Sequence, residues 1–151
     1  MKNIITLLSF CFCLIVTTLP AQDASWVDKI QQEWVLKKGW WGDQEMVFEL
    51  KSPAIHQNGL FKVFNFSTDQ HIKFQLYNPQ EFGMCGNGLF FLNAGSWKQT
   101  KDDQLQINLT GGRYLEDRFE FSANFNITEI NENSLTLSLA KEITNKTAAF
   151  N

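Results

Sequence analysis

Between Phe119 and Ile127 every second residue is apolar: Phe119, Phe121, Ala123, Phe125 and Ile127 alternate with Glu120, Ser122, Asn124 and Asn126. A period of two belongs to a β-strand with one face in a core and the other in water; a helix would scatter these residues around its circumference. Asn131-Glu132-Asn133-Ser134 then supplies turn chemistry, and Leu135, Leu137 and Leu139 resume the alternation against Thr136 and Ser138. The chain therefore closes in a long antiparallel hairpin, and the same period recurs upstream. Met46, Phe48 and Leu50 alternate with Val47, Glu49 and Lys51; Ile72, Phe74 and Leu76 with Lys73, Gln75 and Tyr77; Leu105, Ile107 and Leu109 with Gln106, Asn108 and Thr110.

Read from the N-terminus, Asp23-Ala24-Ser25 is a capping sequence for a helix of about three turns ending near Glu33. Strand one opens at Trp34-Val35-Leu36. A bulky loop, Gly39-Trp40-Trp41-Gly42-Asp43, leads to strand two, which Ser52-Pro53 breaks. Strand three spans Leu60 to Phe66 and strand four His71 to Tyr77, with Ser67-Thr68-Asp69-Gln70 as a polar turn between them. Strand five covers Gly88 to Lys98, with a bend or bulge at Gly95-Ser96. After the turn at Lys101-Asp102-Asp103, strand six runs into Gly111-Gly112, which reads as a tight turn before the closing hairpin. Eight strands with short connections and no internal helix predict an all-β fold, an eight-stranded antiparallel up-and-down barrel with a short N-terminal helix. Closure of such a barrel also removes exposed edges.

The first segment stands apart from this pattern. Met1-Lys2-Asn3 is a short positive start, Ile4 to Leu19 is almost wholly apolar, and Pro20-Ala21-Gln22 offers a small residue for cleavage. The reading is a signal peptide over residues 1–21 and one barrel domain over 22–151, exported to the periplasm or the cell exterior, with no membrane span after cleavage. Cys11 and Cys13 lie inside that segment, so Cys85 alone is left to the domain and no internal disulfide is expected. Stability must come from a core, which about 130 aromatic-rich residues can supply. Removing the segment takes Lys2 with it and leaves 12 basic against 16 acidic residues, interspersed, so nucleic acid is a poor partner.

The order of features resembles the lipocalin-like proteins of bacterial envelopes. The resemblance lies in the short helix before Gln32-Glu33-Trp34, in Phe64-Asn65-Phe66-Ser67-Thr68-Asp69, in Gly95-Ser96-Trp97 and in the closing Phe125-Asn126-Ile127 and Leu135-Thr136-Leu137 hairpin. It covers nearly all of the domain. Two departures stand out: Gln32 occupies the glycine place of the usual Gly-x-Trp, and the last strand offers Lys141 where an arginine would cover the tryptophan. The resemblance implies a barrel that holds, or once held, a small apolar molecule.

A barrel of eight strands is just wide enough either to be filled by its own side chains or to enclose one small ligand. The leading expectation is a binder of a small apolar or amphiphilic molecule, with Trp34, Trp40, Trp41, Phe64, Phe74, Trp97, Phe119, Phe121 and Phe125 as candidate ligand-binding residues. The alternative is a solid barrel that docks an envelope protein or a glycan through its loops and an exposed Trp40-Trp41 pair. Catalysis is not expected. His56 and His71 lack metal-spaced partners, Cys85 has no adjacent base, and Glu116 and Asp117 fall on opposite faces of a strand. Neither Gly86-Asn87-Gly88 nor Gly111-Gly112 precedes a helix that would make a phosphate loop, so no cofactor and no metal are expected.

Overall fold

The computed structural model describes residues 26–53, 60–77, 90–101, 103–113 and 117–149. The proposed signal segment, the Asp23–Ser25 cap, His56, Cys85, the Gly86-Asn87-Gly88 sequence and Glu116 lie outside the described residues. A helix, α1 (Trp26–Ile30), precedes eight strands: β1 (Glu33–Lys38), β2 (Glu45–Leu50), β3 (Phe61–Phe66), β4 (Ile72–Tyr77), β5 (Phe90–Lys101), β6 (Gln104–Arg113), β7 (Asp117–Ile130) and β8 (Ser134–Ala149). Every pairing is antiparallel and all eight strands belong to one sheet that curls into a nearly closed barrel. The fold is the all-β antiparallel barrel with a short helix that the alternation predicts.

The helix ends at Ile30, before the expected end near Glu33. Gln32 N–H bonds back to Ile30 O at 2.7 Å and the Gln32 side chain donates to Lys29 O at 3.0 Å, closing the last turn. From there the backbone is claimed on both sides: Phe66 N–H reaches Gln32 O and Lys51 N–H reaches Glu33 O. Sheet bonding to two neighbours outweighs one further helical turn, because it satisfies more backbone groups at once.

Strand order is β4-β3-β1-β2-β8-β7-β6-β5. From β3 to β8 the chain goes up and down around the barrel, with β4 and β5 meeting at the seam. There His71 bridges Ser96, and Trp97 N–H donates to Gln70 O at 2.9 Å. The first hairpin enters with its two strands exchanged relative to simple succession. β2 pairs β8 (Phe48 with Leu135) and β1 pairs β3 (Trp34 with Phe64). Alternation dictates which face of a strand is buried, but both edges of a strand carry the same N–H and C=O groups, so it is silent on which edge meets which neighbour.

The Gly111-Gly112 pair is a correction. Both residues are buried inside β6, paired with Phe119 and Arg118, and no turn forms there. A Cβ at Gly111 would stand 2.2 Å from Phe91 O and 2.9 Å from the Phe119 ring; its absence lets that ring lie across β6.

The core confirms the inward faces. Phe48, Phe64, Phe66, Leu105, Ile107, Leu109, Phe121, Phe125, Leu135 and Leu137 are buried, joined by Ile30, Trp34, Met46, Ile72, Trp97 and Ala123. Their rings contact one another through the interior: Phe48–Phe64 at 6.0 Å, Phe48–Phe66 at 6.5 Å and Phe66–Trp97 at 6.3 Å, all edge-on. Outward, β6 and β7 carry an amide and hydroxyl ladder, with Gln104 donating to Asn126 at 2.8 Å and Ser122 to Asn108 at 2.6 Å. Two turns show the chemistry their sequences carry. Asn131 Oδ1 accepts the N–H groups of Asn133 and Ser134 at 2.8 and 2.9 Å, and the Ser67 hydroxyl donates to the Asp69 carboxylate.

Phe64→Ala is expected to destabilise the fold by about 3–5 kcal/mol in urea unfolding, because a fully buried ring with ring neighbours on several sides is lost. Leu60→Ala, at a side chain 51% exposed, should stay within about 0.5 kcal/mol of the parent. Similar effects at the two positions would contradict this core. At the β3–β4 turn, the Ser67 hydroxyl and then the His71 N–H hold the Asp69 carboxyl below the usual carboxylate range. A carboxyl depressed by folding contributes stability above its ordinary pKa, and that contribution is lost as the pH falls through the folded value. The stability gap between parent and Asp69→Ala should therefore narrow as the pH falls below about 4. A gap independent of pH would show that the carboxylate does not hold the turn.

Candidate functional site

Five rings converge on the end of the barrel opposite α1, and the β1–β2 loop puts two of them there. Gly39 and Gly42 have φ of 82° and 96°, a region that side-chain-bearing residues avoid, and at Gly39 a Cβ would stand 2.2 Å from Glu45 O. Between them the loop closes on itself. Trp40 N–H donates to Asp43 Oδ2 at 2.8 Å, and Asp43 N–H donates to Trp40 O at 2.9 Å. This turn sends adjacent tryptophans in different directions. Trp41 enters the barrel and is 8% exposed, meeting Phe64 edge-on at 5.1 Å, Phe121 at 6.2 Å and Phe125 at 6.4 Å. Trp40 stays at the rim, half-buried, edge-on to Phe90 at 4.6 Å, with the Lys62 ammonium 4.1 Å above its ring.

The far wall comes from β6, β7 and β8. Phe119 stacks on Phe90 at 5.2 Å with planes 17° apart, and Phe90 meets Phe74 edge-on at 4.9 Å. In register with Phe121 and Phe119 stand Asn145 and Thr147 of β8. They lie in phase with Leu135, Leu137 and Leu139 on the inward face, and two one-residue bulges in β8, at Ala140 and Ile143, together slip it two residues along β7 and so set them beside these rings. Asn145 donates to Glu142 at 3.0 Å and packs near Gly42. Arg113 and Asp117 face each other directly across the β6–β7 pair at the same end.

These elements leave a pocket of about 170 Å³. Trp40, Trp41, Phe90, Phe119 and Phe121 form its apolar wall, and Arg113, Asp117, Asn145 and Thr147 its polar edge. Beneath it Trp41 fills the barrel, and the Trp41 indole N–H is buried with no hydrogen-bond partner among the described residues. Leaving a buried donor unpaired costs about 1–3 kcal/mol, which the contacts of this large ring offset.

The nine candidate residues divide accordingly. Trp40, Trp41, Phe119 and Phe121 line the pocket; Phe64, Phe74 and Phe125 stand behind it, in ring contact with Trp41 or Phe90. Trp34 and Trp97 lie at the helix end. Trp34 is fully buried and its indole N–H donates to Ile30 O at 2.9 Å; Trp97 packs on Trp26 at 6.4 Å and its N–H donates to Ser67 O at 3.2 Å. Neither reaches the mouth, and Trp41 is core rather than surface. Sequence reasoning missed Arg113, Asp117, Asn145 and Thr147. The charged run from Arg113 to Arg118 reads as a solvated strand start, and Asn145 and Thr147, though in phase with Leu135, Leu137 and Leu139, come after Lys141, where the apolar period has ended. A second depression, about 260 Å³, lies on the outer face of β5 to β7 beside the seam, with His71, Ser96, Asn108, Glu120 and Ser122 among its walls.

Gly39→Ala should destabilise the protein by about 1–3 kcal/mol and move tryptophan emission to longer wavelength, as Trp41 is drawn from the barrel. Unchanged emission and stability would show that the loop does not seat that ring. No family model, no curated protein and no solved structure matches this chain.

Proposed function

We propose that this protein is a small-molecule binding barrel whose site is its open end. The ligand would be an amphiphilic molecule about the size of one six-membered ring. The observation that carries this reading is the pocket of about 170 Å³ seated on a filled interior. Its volume is close to that of an engineered apolar cavity of about 150 Å³ that takes up benzene. Rings form its floor and polar groups most of its open lining, so it presents an apolar and a polar part side by side, and the mouth of a barrel is a common place for a ligand site. A ligand held deep in the barrel is less well supported, since Trp41, Phe48, Phe64 and Phe125 already meet across that space. The resemblance to lipocalin-like envelope proteins and the apolar segment Ile4 to Leu19 support an exported protein acting in the periplasm or outside the cell.

The filled interior also favours a second reading, a solid module that docks a glycan or another envelope protein. The outer depression beside His71 and Ser96, where Asn108, Thr110 and Ser122 offer hydrogen-bonding groups around a largely apolar lining, is the surface on which a glycan would lie.

Titration with p-cresol, followed by tryptophan fluorescence, tests the first reading. A saturable change that Trp40→Ala abolishes, with the melting temperature of that variant within a few degrees of the parent, is the expected result. No saturable change in the parent would exclude the mouth as a ring-binding site.

A further inference from the structure

We propose that the ligand of the mouth is a zwitterion bearing one ring, chemically an aromatic α-amino acid; this rests on the mouth being a binding site. The rim carries both signs of charge in a fixed relation. Arg113 and Asp117 are direct partners in the β6–β7 register, and directly opposed residues of an antiparallel pair hold their Cβ atoms about 4.5–5.5 Å apart on the same face. That face is the inward one, since Asp117 lies two residues before Phe119 and four before Phe121, and all three line the pocket. A ligand with only a carboxylate would gain from Arg113 and be repelled by Asp117; one with only an ammonium group meets the opposite conflict. A molecule that carries both groups on one carbon atom satisfies both, the carboxylate on the guanidinium fork and the ammonium on the carboxylate.

The apolar part of such a molecule has a place within reach of those charges. Phe119 lies across Gly111, the β6 residue two before Arg113, so its ring forms a floor next to the charged pair. Phe90 stacked on Phe119, and Trp40 edge-on to Phe90, continue that apolar surface to the rim. A ring inserted there would have aromatic neighbours on more than one side, with the two charged groups of the ligand left at the polar edge. An uncharged ring or a sugar could use the aromatic floor but would bring no charge to Arg113 or Asp117.

The test compares four probes on the full chain by tryptophan fluorescence and calorimetry: L-phenylalanine, 3-phenylpropionate, 2-phenylethylamine and p-cresol. L-Phenylalanine is expected to bind about three- to tenfold tighter than either singly charged probe. Arg113→Gln should weaken L-phenylalanine and 3-phenylpropionate by a similar factor and tighten 2-phenylethylamine, whose repulsion it removes; Asp117→Asn should weaken L-phenylalanine and 2-phenylethylamine and tighten 3-phenylpropionate for the same reason. Both variants should bind p-cresol as the parent does, which also reports that they are folded. If p-cresol binds as tightly as L-phenylalanine and neither substitution discriminates among the probes, the zwitterion is refuted while the mouth stands as a ring site. If none of the four binds, the site itself is refuted.

Discussion

One side chain holds the two ends of this barrel in relation to each other. Trp41 leaves a four-residue loop between two left-handed glycines and enters the space that the sheet encloses. There it meets rings from β2, β3 and β7. Strands so short, with β1 to β4 of six residues each, make few contacts of their own. The ring of Trp41 gives them a common partner, and Phe48, Phe64 and Phe66 carry the contact onward to Trp97 near the helix. The shape of the mouth follows from this: the pocket is what remains above Trp41 once the interior is occupied.

The faces of the strands were legible in the chain. Phe121, Ala123 and Phe125 in β7, and Leu105, Ile107 and Leu109 in β6, are buried as their alternation requires. So were the turns at Ser67–Gln70 and Asn131–Ser134, where short polar side chains bond to nearby backbone. Each of these rests on local physics, a period or a turn residue, within a few positions of sequence.

What was not legible depends on contacts between distant parts. The exchange of β1 and β2 is a choice between edges, and both edges are chemically equivalent along the sequence. The helix stops at Ile30 because Phe66 and Lys51 take up the backbone that follows, and neither residue is near it in the chain. Gly111 and Gly112 carry a turn signature, yet they serve the close approach of Phe91 and Phe119, partners from two other strands. Of the site, the aromatic half could be named from composition and loop position. The polar half could not, because the apolar period of β8 ends at Leu139 and the two bulges that follow decide which rings Asn145 and Thr147 stand beside.

Those register shifts have a consequence beyond the pocket. β2 accompanies β8 only up to Ser138, so among the described residues the stretch from Ala140 to Ala149 has no strand on its other side. A long open edge is a template for adding foreign strands, and here it also carries Ile143, which is 50% exposed. The extra residues at Ala140 and Ile143 interrupt the even spacing that an incoming strand would need, and Lys141 and Lys146 place charge along it. The same irregularities that set Asn145 and Thr147 beside Phe121 and Phe119 thus act as gatekeepers, keeping the last strand of one molecule from continuing into the sheet of the next.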